Sequence, residues 1–170
     1  KSFESPGMTI HTETWLKSIK STDDAVTALI QTNNVDQNIM LERVILAVGI
    51  LGNVEDLGID DTEIKVADSH VITDEWGETD EKGLFAIGDL AGPPWLAHKA
   101  SHEGIVCVEH IAGLNTQPLN PMNVPGCIYC HPQIATVGFT EAAAKKAGYD
   151  VKIGKFPFLA NGKAIALGDV

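Results

Sequence analysis

Apolar and polar positions alternate over residues 8–16 (MTIHTETWL) and again over residues 25–31 (AVTALIQ). A period of two predicts an antiparallel pair of strands with one buried face. Residues 20–24 (KSTDD) supply turn chemistry between them, and Asn33 and Asn34 mark a second turn. From residue 43 to 48 the run RVILAV is continuously apolar after its first residue and rich in β-branched side chains. Such a run predicts a strand buried on both faces. Gly49 and Gly52 end it, where the backbone must turn tightly or come close to a ligand.

The pattern then shortens. Residues 53–82 are polar and mixed, with strands predicted at 63–67 (EIKVA) and 70–73 (HVIT) and turns at Trp76 with Gly77 and at Lys82 with Gly83. LFAIG, residues 84–88, predicts a second short buried strand, and Asp89 follows it at once. A helix is predicted over 96–112. Leu96, Ala97, Ala100, Gly104, Ile105, Val108, Ile111 and Ala112 fall on one stripe at 3.6-residue spacing. Lys99, His102, Glu103, Glu109 and His110 lie mostly elsewhere, and Gly113 suits the position after the helix. A linker with three prolines in thirteen residues, LNTQPLNPMNVPG, follows, and a domain boundary near residue 120 fits it. QIATVGF alternates as a strand. TEAAAKKAG predicts a short helix capped by Thr140, with Glu141 in its first turn and Lys145 and Lys146 in its last. VKIGKFPFLANGKAIALGDV predicts two strands around a turn at Asn161 and Gly162. The fold class expected is α/β, with α+β parts.

Composition narrows the function. The chain has 170 residues, 44% hydrophobic and 21% charged, which is globular. A net charge of −11 argues against nucleic acid, whose phosphates require an excess of Lys and Arg, and against anionic membrane surfaces. The longest strongly apolar stretch, VILAVGILG, is far short of the roughly 20 residues that span a bilayer. Three cysteines, an odd number, speak against a disulfide framework and for a reducing compartment. His98 and His102 are four apart on the predicted helix, but no acidic or Cys partner has ligand spacing with them, so no metal site is expected. Cys107 is expected to be an ordinary, partly buried thiol, and Trp15 and Trp76 to be packing residues.

The richest chemistry is in AIGDLAGPPWLAHKASHEG. A carboxylate directly after a buried strand sits at the strand's carboxyl end, where open α/β folds bind ligands. An ionised Asp only accepts hydrogen bonds, which suits sugar or polyol hydroxyls. The helix that begins a few residues later has backbone N–H groups without intrahelical partners and a dipole that favours negative charge. The two together suit a long ligand with a hydroxylated chain and an electron-rich ring. On spacing alone, an Asp that caps a turn before an ordinary helix is an equal alternative.

These residues carry a resemblance. LFAIGDLAGPPWLAHKASHEG closely resembles the second flavin-binding motif of the pyridine-nucleotide disulfide oxidoreductases. LAHKAxxEG is similar to the dihydrolipoyl dehydrogenase branch of that family. RVILAVGILGNVEDLGI, VPGCIYCHPQIATVGFTEAAAKKAG and FPFLANGKAIALGD extend the likeness over nearly the whole chain. The resemblance implies the end of an NAD-binding domain at 1–52, an FAD-contacting central domain at 53–121, and the start of an α+β dimerisation (interface) domain at 122–170. It implies that Asp89 accepts hydrogen bonds from the ribityl hydroxyls of FAD, and that Trp95, Leu96, Ala97 and His98 lie along the isoalloxazine. Backbone N–H groups there would face the flavin N1 and O2 region, where negative charge gathers on reduction. Gly49 would lie against NAD. Trp95 stands where the family usually has Met, and Ile50 where many relatives have Arg.

The implied reaction moves two electrons from dihydrolipoamide to a protein disulfide, then to FAD and on to NAD⁺. It implies a homodimer and partners in the lipoyl domains of 2-oxo acid dehydrogenase complexes, in the bacterial cytoplasm or the mitochondrial matrix. It also requires a C-x-x-x-x-C redox pair, a G-x-G-x-x-G fingerprint for each dinucleotide and a His–Glu acid–base pair. None of these is in the chain, so no catalytic residue is assigned, and the chain is expected to be an internal piece of a longer enzyme, inactive alone. Another flavin disulfide reductase of the family and a non-catalytic binding module are the alternatives. A c-type haem protein is a third, because Cys127, Cys130 and His131 spell C-x-x-C-H. Against haem, Pro132 pushes His131 towards extended backbone, Ile128 and Tyr129 favour strand, and in a strand residues 127 and 130 point to opposite faces.

Overall fold

A computed structural model of the chain describes residues 2–168. Strands and helices are mixed, and the chain forms two compact units, Lys1–Gly49 and Ile50–Val170. Every strand pairing among the described residues is antiparallel.

The first unit is a three-stranded meander of β1 (Thr14–Ser21), β2 (Val26–Thr32) and β3 (Val35–Leu41). Thr22 closes the first turn through bonds to Ala25. Asn33 and Asn34 close the second with φ of 50° and 63°, the left-handed pair that a two-residue hairpin requires. Ala28 in the central strand faces Ile19 on one side and Ile39 on the other and is buried. The expected strand at 8–16 begins only at Thr14, because Glu13 has φ of 51° and breaks the extended run. The strand expected at 43–48 does not form. No described strand pairs with it, and its backbone amides find no ladder to join, so Ile45 and Val48 stay 91% and 92% exposed. Trp15, expected to be a packing residue, is exposed on β1.

The second unit opens with a hairpin of β4 (Val66–Ala67) and β5 (His70–Val71). Its turn, Asp68 and Ser69, again has positive φ. Gly52 supports this turn: a Cβ there would meet the Ser69 carbonyl oxygen at 2.2 Å. The close approach expected at Gly52 is therefore to the chain's own backbone. LFAIG makes a single bridge, Phe85 to Glu78, rather than a strand. Its backbone is drawn instead into a turn of 3-10 helix at Gly88–Ala91. Helix α1 (Ala97–Ile111) follows, with Gly113 in the left-handed conformation after it. Trp76 packs as expected, stacked on His110 of α1 at 4.9 Å.

Asn120 caps a 3-10 turn at Pro121–Asn123, which leads to the short pair β6 (Gly126–Ile128) and β7 (Ile134–Thr136). Helix α2 (Glu141–Lys146) is capped by Thr140 and carries a Lys145–Glu141 ion pair. The expected C-terminal hairpin is replaced by α3 (Gly162–Leu167). Asn161 accepts from the Ala164 N–H at 3.0 Å, so its side chain starts a helix of good helix formers rather than a turn between strands. Residues 169 and 170 of that prediction lie outside the described residues. The core of this unit is small: Val71, Ala86, Cys107 and Ala164 are its buried apolar residues.

Candidate functional site

Asp89 lies in the 3-10 turn, its side chain exposed. The turn is held by two residues of α1 that the apolar stripe had assigned to the polar side. Lys99 is only 4% exposed. Its ammonium group donates to the Gly92 carbonyl at 2.7 Å and to the Gly88 carbonyl at 3.1 Å, and pairs with Glu103 at 3.0 Å. These three partners use all three of its N–H groups. The other carboxylate oxygen of Glu103 accepts from the Gly88 N–H at 2.7 Å. Gly88 is thus clamped at both its N–H and its C=O, one residue before Asp89. It has φ of 75°, and a Cβ would meet the Ala100 methyl at 3.2 Å.

The buried face of α1 therefore runs through Lys99 and Cys107, while Ile105, Val108 and Ile111 of the predicted stripe are exposed. The reason is electrostatic. Turn carbonyls left in the interior need donors, and a Lys paired one turn away supplies them. Burial pushes the Cys107 thiol up, with the Asp74 charge adding in the same direction. The thiol is accordingly poor as a nucleophile.

Helix α1 starts without a side-chain cap. Leu96 is extended, and the first intrahelical bond is from Ala100 N–H to the Leu96 carbonyl at 3.1 Å. The N–H groups ahead of it point from the positive end of a fifteen-residue helix. They open on a cleft of about 700 Å³ lined by Leu96, Ala97, His98, His102, Cys127 and Tyr129, among others. His98 is tied across it to the Pro125 carbonyl at 2.7 Å. Trp95, half-exposed, donates to His70. Asp89 and residues 95–98 thus belong to one continuous turn and helix start. Gly49, the residue expected against NAD, is exposed in the other unit.

Cys127 lies in β6, and Cys130 comes after its end, its Sγ bonded to the Pro132 carbonyl at 3.0 Å. All three cysteines are free. The C-x-x-C-H segment is strand and bend, without the helical turn that haem attachment uses. No cluster of three or more metal-ligating side chains occurs among the described residues, and no helix there is long and apolar enough to cross a membrane.

The dihydrolipoyl dehydrogenase of Rhizobium etli is 48% identical over 171 residues, which covers 99% of this chain and 36% of the relative. That of Zymomonas mobilis is 46% identical over 172 residues with the same coverage. The crystal structure of LpdA from Mycobacterium tuberculosis superposes with a TM-score of 0.85 at 21% identity, over 98% of this chain and 36% of that one. The HOCl-induced flavoprotein disulfide reductase RclA from Escherichia coli superposes at 0.76 and 18% identity, over 91% of this chain and 35% of that one. At these identities the two structures show the shared fold. The chain spans about a third of the length of the curated relatives it matches. A model of the pyridine nucleotide-disulphide oxidoreductases matches residues 1–104, and the dimerisation-domain model of the same enzymes matches residues 124–170. The chain belongs to the pyridine nucleotide-disulphide oxidoreductase family.

Proposed function

We propose that this chain is the part of an FAD- and NAD-dependent dihydrolipoyl dehydrogenase that holds the flavin from its ribityl chain to its ring. The observation that carries the reading is the clamped turn: Lys99 and Glu103 fix Gly88, and with it the exposed Asp89, to the uncapped start of α1. FAD fits this arrangement, since an acceptor-only carboxylate suits polyol hydroxyls and free helical N–H groups suit an electron-rich ring. Bound there, FAD supplies the two-electron relay between a dithiol and NAD⁺. Asp89 accepts from the ribityl hydroxyls, and residues 95–98 line the isoalloxazine. The positive end of α1 favours the negative charge that reduction brings to the ring. Gly49 lies against NAD. The names of the relatives support the substrate, dihydrolipoamide on lipoyl domains of 2-oxo acid dehydrogenase complexes.

Domain limits at 1–52, 53–121 and 122–170 belong to this reading, as does a homodimer formed through the last of them. The bacterial cytoplasm is the proposed compartment, or the mitochondrial matrix in a eukaryote. Because the chain has neither a C-x-x-x-x-C pair nor a G-x-G-x-x-G fingerprint, it does not turn over alone. The test is made on the full-length protein. Purified, it should carry flavin and reduce NAD⁺ with dihydrolipoamide. Asp89→Ala should weaken FAD about 10- to 100-fold, the loss of bonds to a charged acceptor. Unchanged FAD affinity in that variant, or a wild-type protein without flavin, would overturn the reading.

A further inference from the structure

We propose that His70, as the neutral ring protonated on Nδ1, is a positioning residue for Trp95 and makes the indole a fixed wall ahead of α1. The inference rests on the reading of residues 95–98 as the segment along the flavin ring. Trp95 Nε1–H donates to His70 Nε2 at 3.1 Å, and the two rings are nearly parallel, with centroids 5.9 Å apart and planes 18° apart. An indole N–H only donates, so Nε2 of His70 is the accepting nitrogen and carries no proton. A neutral ring then has its proton on Nδ1, which lies 2.7 Å from the Asp68 carbonyl oxygen. The two hydrogen bonds require the same tautomer. That carbonyl is itself set by the left-handed turn at Asp68 and Ser69, against which Gly52 packs. Support therefore passes from Gly52 through the hairpin turn to His70 and on to Trp95.

The indole, His70, Asp68 and Pro93 share a cleft of about 550 Å³. A tryptophan anchored in this way is a rigid, broad wall, where an unbranched side chain would adapt to its neighbour.

The experiment is NMR on the full-length protein as purified, with ¹⁵N-labelled His and Trp. Long-range ¹H–¹⁵N spectra should show His70 protonated on Nδ1; protonation on Nε2 at neutral pH overturns the proposal. The Trp95 indole N–H is assigned from Trp95→Phe. His70→Phe keeps a ring but no acceptor, and should speed solvent exchange of that N–H about 2- to 10-fold. His70→Gln, whose amide oxygen can accept, should restore slow exchange. Exchange that is unchanged in His70→Phe overturns the proposal. A purified protein without flavin would instead count against the cofactor reading, leaving the tautomer and exchange results to stand alone.

Discussion

Residues 43–48 and 84–88 are both short apolar runs that end near glycine, and neither forms a strand, yet their surroundings are opposite. Ile45 and Val48 are almost wholly exposed, whereas Ala86 and Gly88 are buried. The second run is not better supplied with apolar neighbours from its own sequence. Its Leu84 carbonyl and Ala86 N–H pair with the backbone of Thr79 and Gly77, and Gly88 is anchored by a helix that starts nine residues later: the ammonium of Lys99 takes up its carbonyl and the carboxylate of Glu103 its N–H. An apolar run packs only where its backbone polar groups are also satisfied. Residues 84–88 meet that condition, and residues 43–48 do not among the described residues.

This contrast can be broken most directly at Lys99. Lys99→Met strands the Glu103 carboxylate and two carbonyls, and should cost about 3–5 kcal/mol, the range for a buried pair that loses one partner. Urea unfolding followed in the second unit measures it, and a loss near zero would mean that the clamp does not hold the turn. Gly88→Ala comes next. It forces a left-handed φ on a residue with a Cβ and presses on Ala100, at about 1–3 kcal/mol; a neutral result would show that the turn relaxes freely. Glu103→Gln keeps an acceptor for the Gly88 N–H but loses the charge opposite Lys99, so a cost of about 1–2 kcal/mol is expected by the same measurement. At the small end is Ile45→Ser. In the 170-residue chain it should change stability by no more than about 0.5 kcal/mol, as an exposed position does. The same substitution in the full-length protein sharpens the comparison, because a larger loss there would show that the run acquires a partner.

The limits of α1, the Thr140 cap of α2 and the turn at Asn33 and Asn34 depend on residues within a few positions of one another, and each has its own chemical signature. The strands expected at 63–67 and 70–73 shorten to Val66–Ala67 and His70–Val71. At Asn161 the local signal is ambiguous, because Asn suits both a hairpin turn and a helix cap. The choice fell to the residues after it and to the lack of a partner strand. Asp89 and the start of α1 are legible as a candidate site because a carboxylate, a short loop and a helix start are adjacent in the chain.

The sequence by itself determined the periodicities, the caps and the motif that carries the family resemblance, since these are properties of neighbouring residues and of residue type. Tertiary structure alone decided that Lys99 is interior, that Ile105 and Val108 are not, and that Trp95 meets His70 from twenty-five residues away. Burial and hydrogen-bond pairing are set by groups distant in the chain. A charged residue on a helix has no fixed side until the backbone atoms that need it are in place.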